Sequence, residues 1–117
     1  MIVRIWRGQA EARNSDAYQR HVTTNVFPTL PAIPGHRAAY LLRREMGGQV
    51  EFLAVTLWES MEAVKQFAGT DPDVAVVEPA ARAVLSDFDT FVKHYELVHR
   101  SSSEELNRQG EENAHQA

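Results

Sequence analysis

Apolar positions along the chain change their spacing several times, and each change marks an element. "IVRIWRGQA" (2–10) is dense in β-branched and aromatic residues and reads as a strand. In the stretch that follows, Tyr18, Val22 and Val26 recur every four residues, the spacing of one helix face. Asn14 or Ser15 is the expected cap, with Asp16 in the first turn where the helix dipole favours an acid. Pro28 and Pro31 should stop this helix, since proline lacks an N–H and clashes with the preceding turn. Residues 34–60 hold two extended apolar runs around Gly47-Gly48, the pair that supplies the positive φ of a tight hairpin. Ser60 then caps a helix carrying Ala63, Val64 and Phe67 and ending at Gly69. Glu78-Pro79 opens a further short helix, and "FDTFVKHYELV" (88–98) is the last strand. The order is β-α-β-β-α-β, the ferredoxin-like α+β plan with an antiparallel four-stranded sheet.

The strands alternate poorly between apolar and polar, which bears on assembly. Leu53, Val55 and Leu57 form one row of the third strand, and Phe52, Ala54, Thr56 and Trp58 the other. Helices on one side cover only one row. The Leu53-Val55-Leu57 row is the one expected against them, and the row with Trp58 is then the open face. In the last strand, Phe91, Tyr95 and Leu97 are expected against the helices, while Thr90, Val92, His94 and Glu96 share the open face with Trp58 and Arg4. A second copy packed sheet to sheet is the expected cover, giving a homodimer. From His99 to the end the chain has one leucine and no aromatic residue, so the expected domain is 1–98 followed by a flexible polar tail, 99–117.

Composition removes whole classes of function. The 117 residues carry a net charge of -4 with scattered cations, so neither nucleic acid nor an anionic membrane surface is an expected partner. The absence of cysteine excludes thiolate nucleophiles, iron–sulfur clusters and cysteine-ligated zinc. Arg4 and Arg7 interrupt the first apolar run, which spoils a secretory signal, and the expected location is the cytoplasm. No metal-ligand spacing occurs, and Asp71 and Asp73 flank a proline as turn residues. Without a glycine-rich phosphate loop or dinucleotide fingerprint, no cofactor is expected.

Four stretches together carry a resemblance. They are "RIWRG" (4–8), F-P-x-L-x-x-I-P-G-x-R-x-A-Y-x-L-R-R (27–44), V-E-F-L-A-V-T-L-W-E-S (50–60) and F-D-x-F-x-x-H-Y-E (88–96). In order and spacing the chain resembles the antibiotic biosynthesis monooxygenase family of dimeric α+β barrels. The resemblance implies a pocket between the open sheet face and the neighbouring helices or loops. It also implies a choice of activities. Some members oxygenate aromatic phenols without metal or flavin, the substrate anion itself reacting with oxygen. Others degrade heme, and others bind or isomerise small molecules.

The expected function is a cofactor-independent monooxygenase, or related small oxidoreductase, acting on a small phenol- or anthrone-like aromatic. A non-catalytic small-molecule binding protein is the alternative, and heme degradation the third reading. His94 is the candidate base, taking a phenolic proton, and Arg4 the candidate cation holding the resulting anion. A hydrogen-bonded structural histidine and an inter-subunit ion pair are the competing readings of those two residues. Trp6, Trp58, Thr56 and Phe52 are the candidate substrate-binding residues, the indoles offering flat walls to a planar ring. Plain core packing is the competing reading of Trp58. Heme degradation is disfavoured on two counts. Trp6 stands where heme-degrading relatives place a polar amide, and residues 72–85 lack their ligand histidine. His21 and His36 read as solvated.

Overall fold

The computed structural model describes residues 1–103. Its strands are β1 (Ile2–Glu11), β2 (His36–Met46), β3 (Gln49–Trp58), β4 (Asp87–Phe88) and β5 (Lys93–Glu96); its helices are α1 (Ala12–His21), α2 (Met61–Ala68) and α3 (Pro79–Arg82). The sheet is antiparallel throughout, in the order β2-β3-β1, with β4 and β5 both paired to the free edge of β1. This is the expected ferredoxin-like α+β fold. From residue 104 on, the expected polar tail lies outside the described residues.

Local signals set most of the boundaries. Gly47 and Gly48 hold φ of 51° and 84° in the β2–β3 turn, where a side chain would strain both positions. Ser60 Oγ accepts the Ala63 N–H at 3.2 Å and so caps α2, and Gly69 ends it at φ 87°. The start of α1 differs from expectation. Glu11 occupies the N-cap position, and Ser15 lies inside the helix, donating its hydroxyl to the Ala12 carbonyl at 2.8 Å. β1 runs straight into α1 with no linker, so the strand's end sets the helix start and overrides the local capping preference. After His21 the backbone widens into a π turn over Val22–Val26, then tightens to a 3-10 turn over Phe27–Ala32. The regular helix thus ends before the prolines expected to stop it, and both Pro28 and Pro31 lie within the 3-10 turn.

The fourth strand also departs from expectation. Residues 89–92 bulge out between β4 and β5, opposite only Trp6 and Arg7 of β1. A second segment fixes this bulge: Val74 bridges Phe91, and the Ala75 and Val92 N–H groups donate to Thr90 and Asp73 carbonyls at 2.8 Å each. The 71–76 loop is thereby tied over the end of the sheet.

The faces of the sheet are the reverse of those expected. The row Val50, Phe52, Ala54, Thr56, Trp58 lies under the helices, and Leu53, Val55 and Leu57 form the open face. Tyr95, expected against the helices, is 51% exposed on that open face beside Val3. Alternation determines which residues share a face but not which face the helices take. That choice follows from fit. The row on β1 offers Ala10, which packs in the cluster with Tyr18 of α1, and Gly8, whose bare backbone leaves room for the Trp6 ring and Leu85, while the rings of Phe52 and Trp58 fill the space on either side. Tyr18 of α1 packs on Phe52 at 4.8 Å between ring centroids, and Phe67 of α2 stacks on Trp58 at 5.7 Å.

Candidate functional site

Between the inner sheet face and the covering helices lies a cavity of about 710 Å³ of empty space, counting its open mouth. Its floor is Arg4 and Trp6 of β1 with Ala54 and Thr56 of β3. Its roof comes from Tyr18, His21 and the turns after α1, and its sides from Phe67 and the 76–81 segment. Most of these groups are aliphatic or aromatic, with a few polar atoms set among them.

Arg4 is the unusual group. It is 4% exposed, and its guanidinium is held on three sides. Nη1 donates to the Pro72 carbonyl and approaches His94 Nε2 at 3.0 Å, and Nη2 donates to the Val74 carbonyl at 3.3 Å. Its carbon sits 5.7 Å from the Phe67 ring centroid, a cation–π arrangement. Burial lowers its pKa to about 10, partly offset by the charge of Asp73, so it remains a cation at neutral pH. None of its three hydrogen bonds is to a carboxylate, so its charge is not neutralised by direct contact.

His94 pairs with Arg4 across the β1–β5 register but lies behind the guanidinium and is not among the cavity walls. Its Nδ1 meets Asp73 Oδ1 at 3.2 Å. An arginine N–H can only donate, so Nε2 accepts and the proton of the neutral ring sits on Nδ1, facing Asp73. Burial first, then the Arg4 charge, lower its pKa below the ordinary histidine value, against the opposing pull of Asp73. The result is a neutral imidazole bracing a cation.

The remaining candidates divide in two. Trp6 and Thr56 line the cavity, the Trp6 Nε1–H donating to the Asp89 carbonyl at 2.8 Å. The Trp6 ring lies over Gly8, so close that a methyl group there would fall 2.5 Å from it. Trp58 and Phe52, fully buried, are absent from the walls. Trp58 is enclosed by Leu30, Ala63, Val64 and Phe67, and its Nε1–H donates to Thr56 Oγ1 at 2.8 Å. It therefore fixes the hydroxyl of a wall residue from behind.

Sequence reasoning missed His21, Tyr18 and Glu78 as wall residues. His21, read as solvated, has a side chain only 11% exposed, and its Nε2 is buried without a hydrogen-bond partner. Its position three residues after Tyr18 and one before Val22, on the apolar stripe, was the available signal. His36, read the same way, packs its ring edge-on against Trp58 at 5.0 Å. Among the described residues no group of three or more His, Asp or Glu comes together to hold a metal ion.

The sequence profile of the antibiotic biosynthesis monooxygenase family matches residues 1–79. The chain belongs to this family. No curated protein sequence matches it. Solved structures of the family's fold superpose well at low identity. A candidate antibiotic biosynthesis monooxygenase from Bacillus cereus aligns with TM-score 0.63 at 14% identity, covering 87% of this chain and 97% of its own. Another from Nitrosomonas europaea aligns at 0.64 and 11%, covering 85% and 100%. A MhuD point mutant with two manganese protoporphyrin IX molecules bound per active site aligns at 0.63 and 20%, covering 88% and 100%. At these identities the likeness establishes the shared fold alone. No helix among the described residues is long and apolar enough to cross a membrane.

Proposed function

We propose that this family member is a cofactor-independent monooxygenase acting on a small planar phenol- or anthrone-type aromatic held in the helix-side cavity. The observation that carries the reading is a buried guanidinium, unneutralised by direct carboxylate contact, in the wall of an otherwise largely apolar cavity lined by Trp6, Tyr18 and Phe67. Apolar rings bind the flat body of such a ligand. A fixed cation in a water-poor site stabilises the phenolate or enolate on which oxygen chemistry depends. For an anthrone, ionisation gives an electron-rich carbanion equivalent that reacts with dioxygen directly. One oxygen atom becomes the new ring carbonyl, and the other leaves as water with the two displaced hydrogens. In this reading Arg4 holds the anion, His94 positions Arg4, Trp6 and Thr56 contact the ligand, and Trp58 and Phe52 support the floor. Heme suits the cavity less well, because the chain from α2 through α3 contains no histidine.

Oxygen uptake with anthrone, without added metal or flavin, tests the reading. Turnover that persists in chelator is expected. Saturable anthrone binding with no oxygen uptake would leave a non-catalytic binding protein instead. A saturable Soret shift at stoichiometric heme would favour the heme reading.

The reading includes a homodimer. The open face presents Val3, Ile5, Leu53, Val55 and Leu57, with Tyr40 and Leu42 about half exposed at 53% and 50%. A contiguous apolar face of this kind is covered in a stable assembly. Sedimentation at micromolar concentration is expected to give twice the chain mass, and Val55→Glu to give the monomer. A wild-type monomer at that concentration would refute the dimer.

A further inference from the structure

The roof of the cavity carries a second polar group that the proposed chemistry leaves unused. His21, the last residue of α1, presents a buried Nε2 with no hydrogen-bond partner. Glu78 Oε2 lies 3.6 Å from it, within ion-pair range but beyond hydrogen-bond distance, and both residues line the cavity. The other ring nitrogen, Nδ1, lies 3.3 Å from the Asn25 amide nitrogen. An amide NH₂ only donates, so Nδ1 accepts and the ring proton is on Nε2. A donor and an acceptor thus face each other across a gap too wide for them to satisfy one another.

Such a gap is matched by one chemical group. An alcohol or phenol oxygen about 2.8 Å from each atom forms the apex of a triangle over the His21–Glu78 pair, accepting from Nε2–H and donating to the carboxylate. A carboxylate ligand would be repelled by Glu78, an ammonium would meet the Nε2–H, and an apolar group would leave the buried Nε2–H unpaired. We infer that His21 and Glu78 form a hydroxyl-recognition subsite in the cavity roof, so that the ligand is an aromatic carrying a hydroxyl group in addition to the oxygen held by Arg4. This rests on the proposed aromatic-binding reading and narrows its substrate class to dioxygenated aromatics.

The π turn after α1 suits this role. It begins at Val22, directly after His21, and carries Asn25, so the turn that widens the helix also supplies the group that sets the His21 tautomer.

Calorimetric titration of the full chain with 1-naphthol, 2-naphthol and a panel of dihydroxynaphthalenes tests the inference. The best-fitting diol is expected to bind about tenfold or more tightly than either naphthol, because a site built for a hydroxyl penalises a ligand that lacks it. Glu78→Ala should remove that preference, bringing the best diol to the affinity of the naphthols; the Glu78 side chain is half exposed and makes no capping bond to α3, so the variant should fold. His21→Phe, which keeps the ring and loses both nitrogens, should do the same. Equal affinity for diols and naphthols in the wild type would overturn the subsite and leave the cavity reading standing. So would a diol preference that survives Glu78→Ala. Absence of binding by any naphthol or diol would overturn both together.

Discussion

Arg4→Met lowers turnover on a confirmed phenolic substrate by about 10²–10³-fold, the usual cost of removing one preorganised group that stabilises a developing anion. The effect depends on where the cation is. In water a guanidinium and a phenolate attract weakly, but Arg4 is almost fully withdrawn from solvent and its three protein partners hold it in place before any ligand arrives. Methionine keeps much of the side chain's length and apolar body while removing the charge. It also strips the Pro72 and Val74 carbonyls and His94 Nε2 of their donor, so stability falls too, by about 1–3 kcal/mol for each group left dry. Measurement therefore needs both a urea melt and kinetics, with kcat taken well below the onset of unfolding. Affinity for naphthalene, which has no oxygen to hold, should change little. Unaltered kcat in a folded Arg4→Met variant would end the anion-holding role. A variant that lost naphthalene affinity as well would point to collapse of the cavity.

Trp58→Ala is the second large effect, and it is one of stability. Trp58 is fully buried among Leu30, Ala63, Val64 and Phe67, with the His36 ring edge-on to it. Removing an indole from such a site costs about 3–5 kcal/mol through lost burial and an unfilled cavity. That is a large share of the 5–15 kcal/mol typical of a domain, so the urea midpoint should drop sharply. Trp58→Phe should retain most of the packing and lose chiefly the 2.8 Å bond to Thr56 Oγ1. A loss below about 1 kcal/mol for Trp58→Ala would show that the ring is not a core element.

How far the site could be read in advance is clear from particular residues. Arg4, Trp6, Thr56, Trp58 and His94 do share one sheet face, because strand parity follows from the backbone alone and the β1–β3 pairing has no bulge. Even the bulge at 89–92 inserts an even number of extra residues, so His94 keeps its face. What parity could not decide was depth. Trp58 and His94 differ from Trp6 and Thr56 in what packs over them, α2 in one case and the 71–76 loop in the other. His21 shows the same limit from the other side. Its stripe position was visible, but its burial depends on Glu78, which lies 57 residues further along the chain, and on the turn after α1.

The chain's order of elements, the Gly47-Gly48 turn, the Ser60 cap, the α3 start at Glu78-Pro79 and the family follow from sequence alone. Each depends on residues close together: a positive φ, a side-chain oxygen within reach of a nearby N–H, or an apolar period matched to one element. Which face of the sheet the helices cover, where α1 gives way to a π turn, how the last strand breaks, and which imidazole reaches the cavity were decided only by the tertiary structure. Those depend on competing packings of distant segments. Two faces of similar hydrophobicity leave the choice to shape, and here Ala10 packs in the Tyr18–Phe52 cluster while Gly8 makes room for the Trp6 ring and Leu85, space that the row of Val3 and Ile5 would not leave.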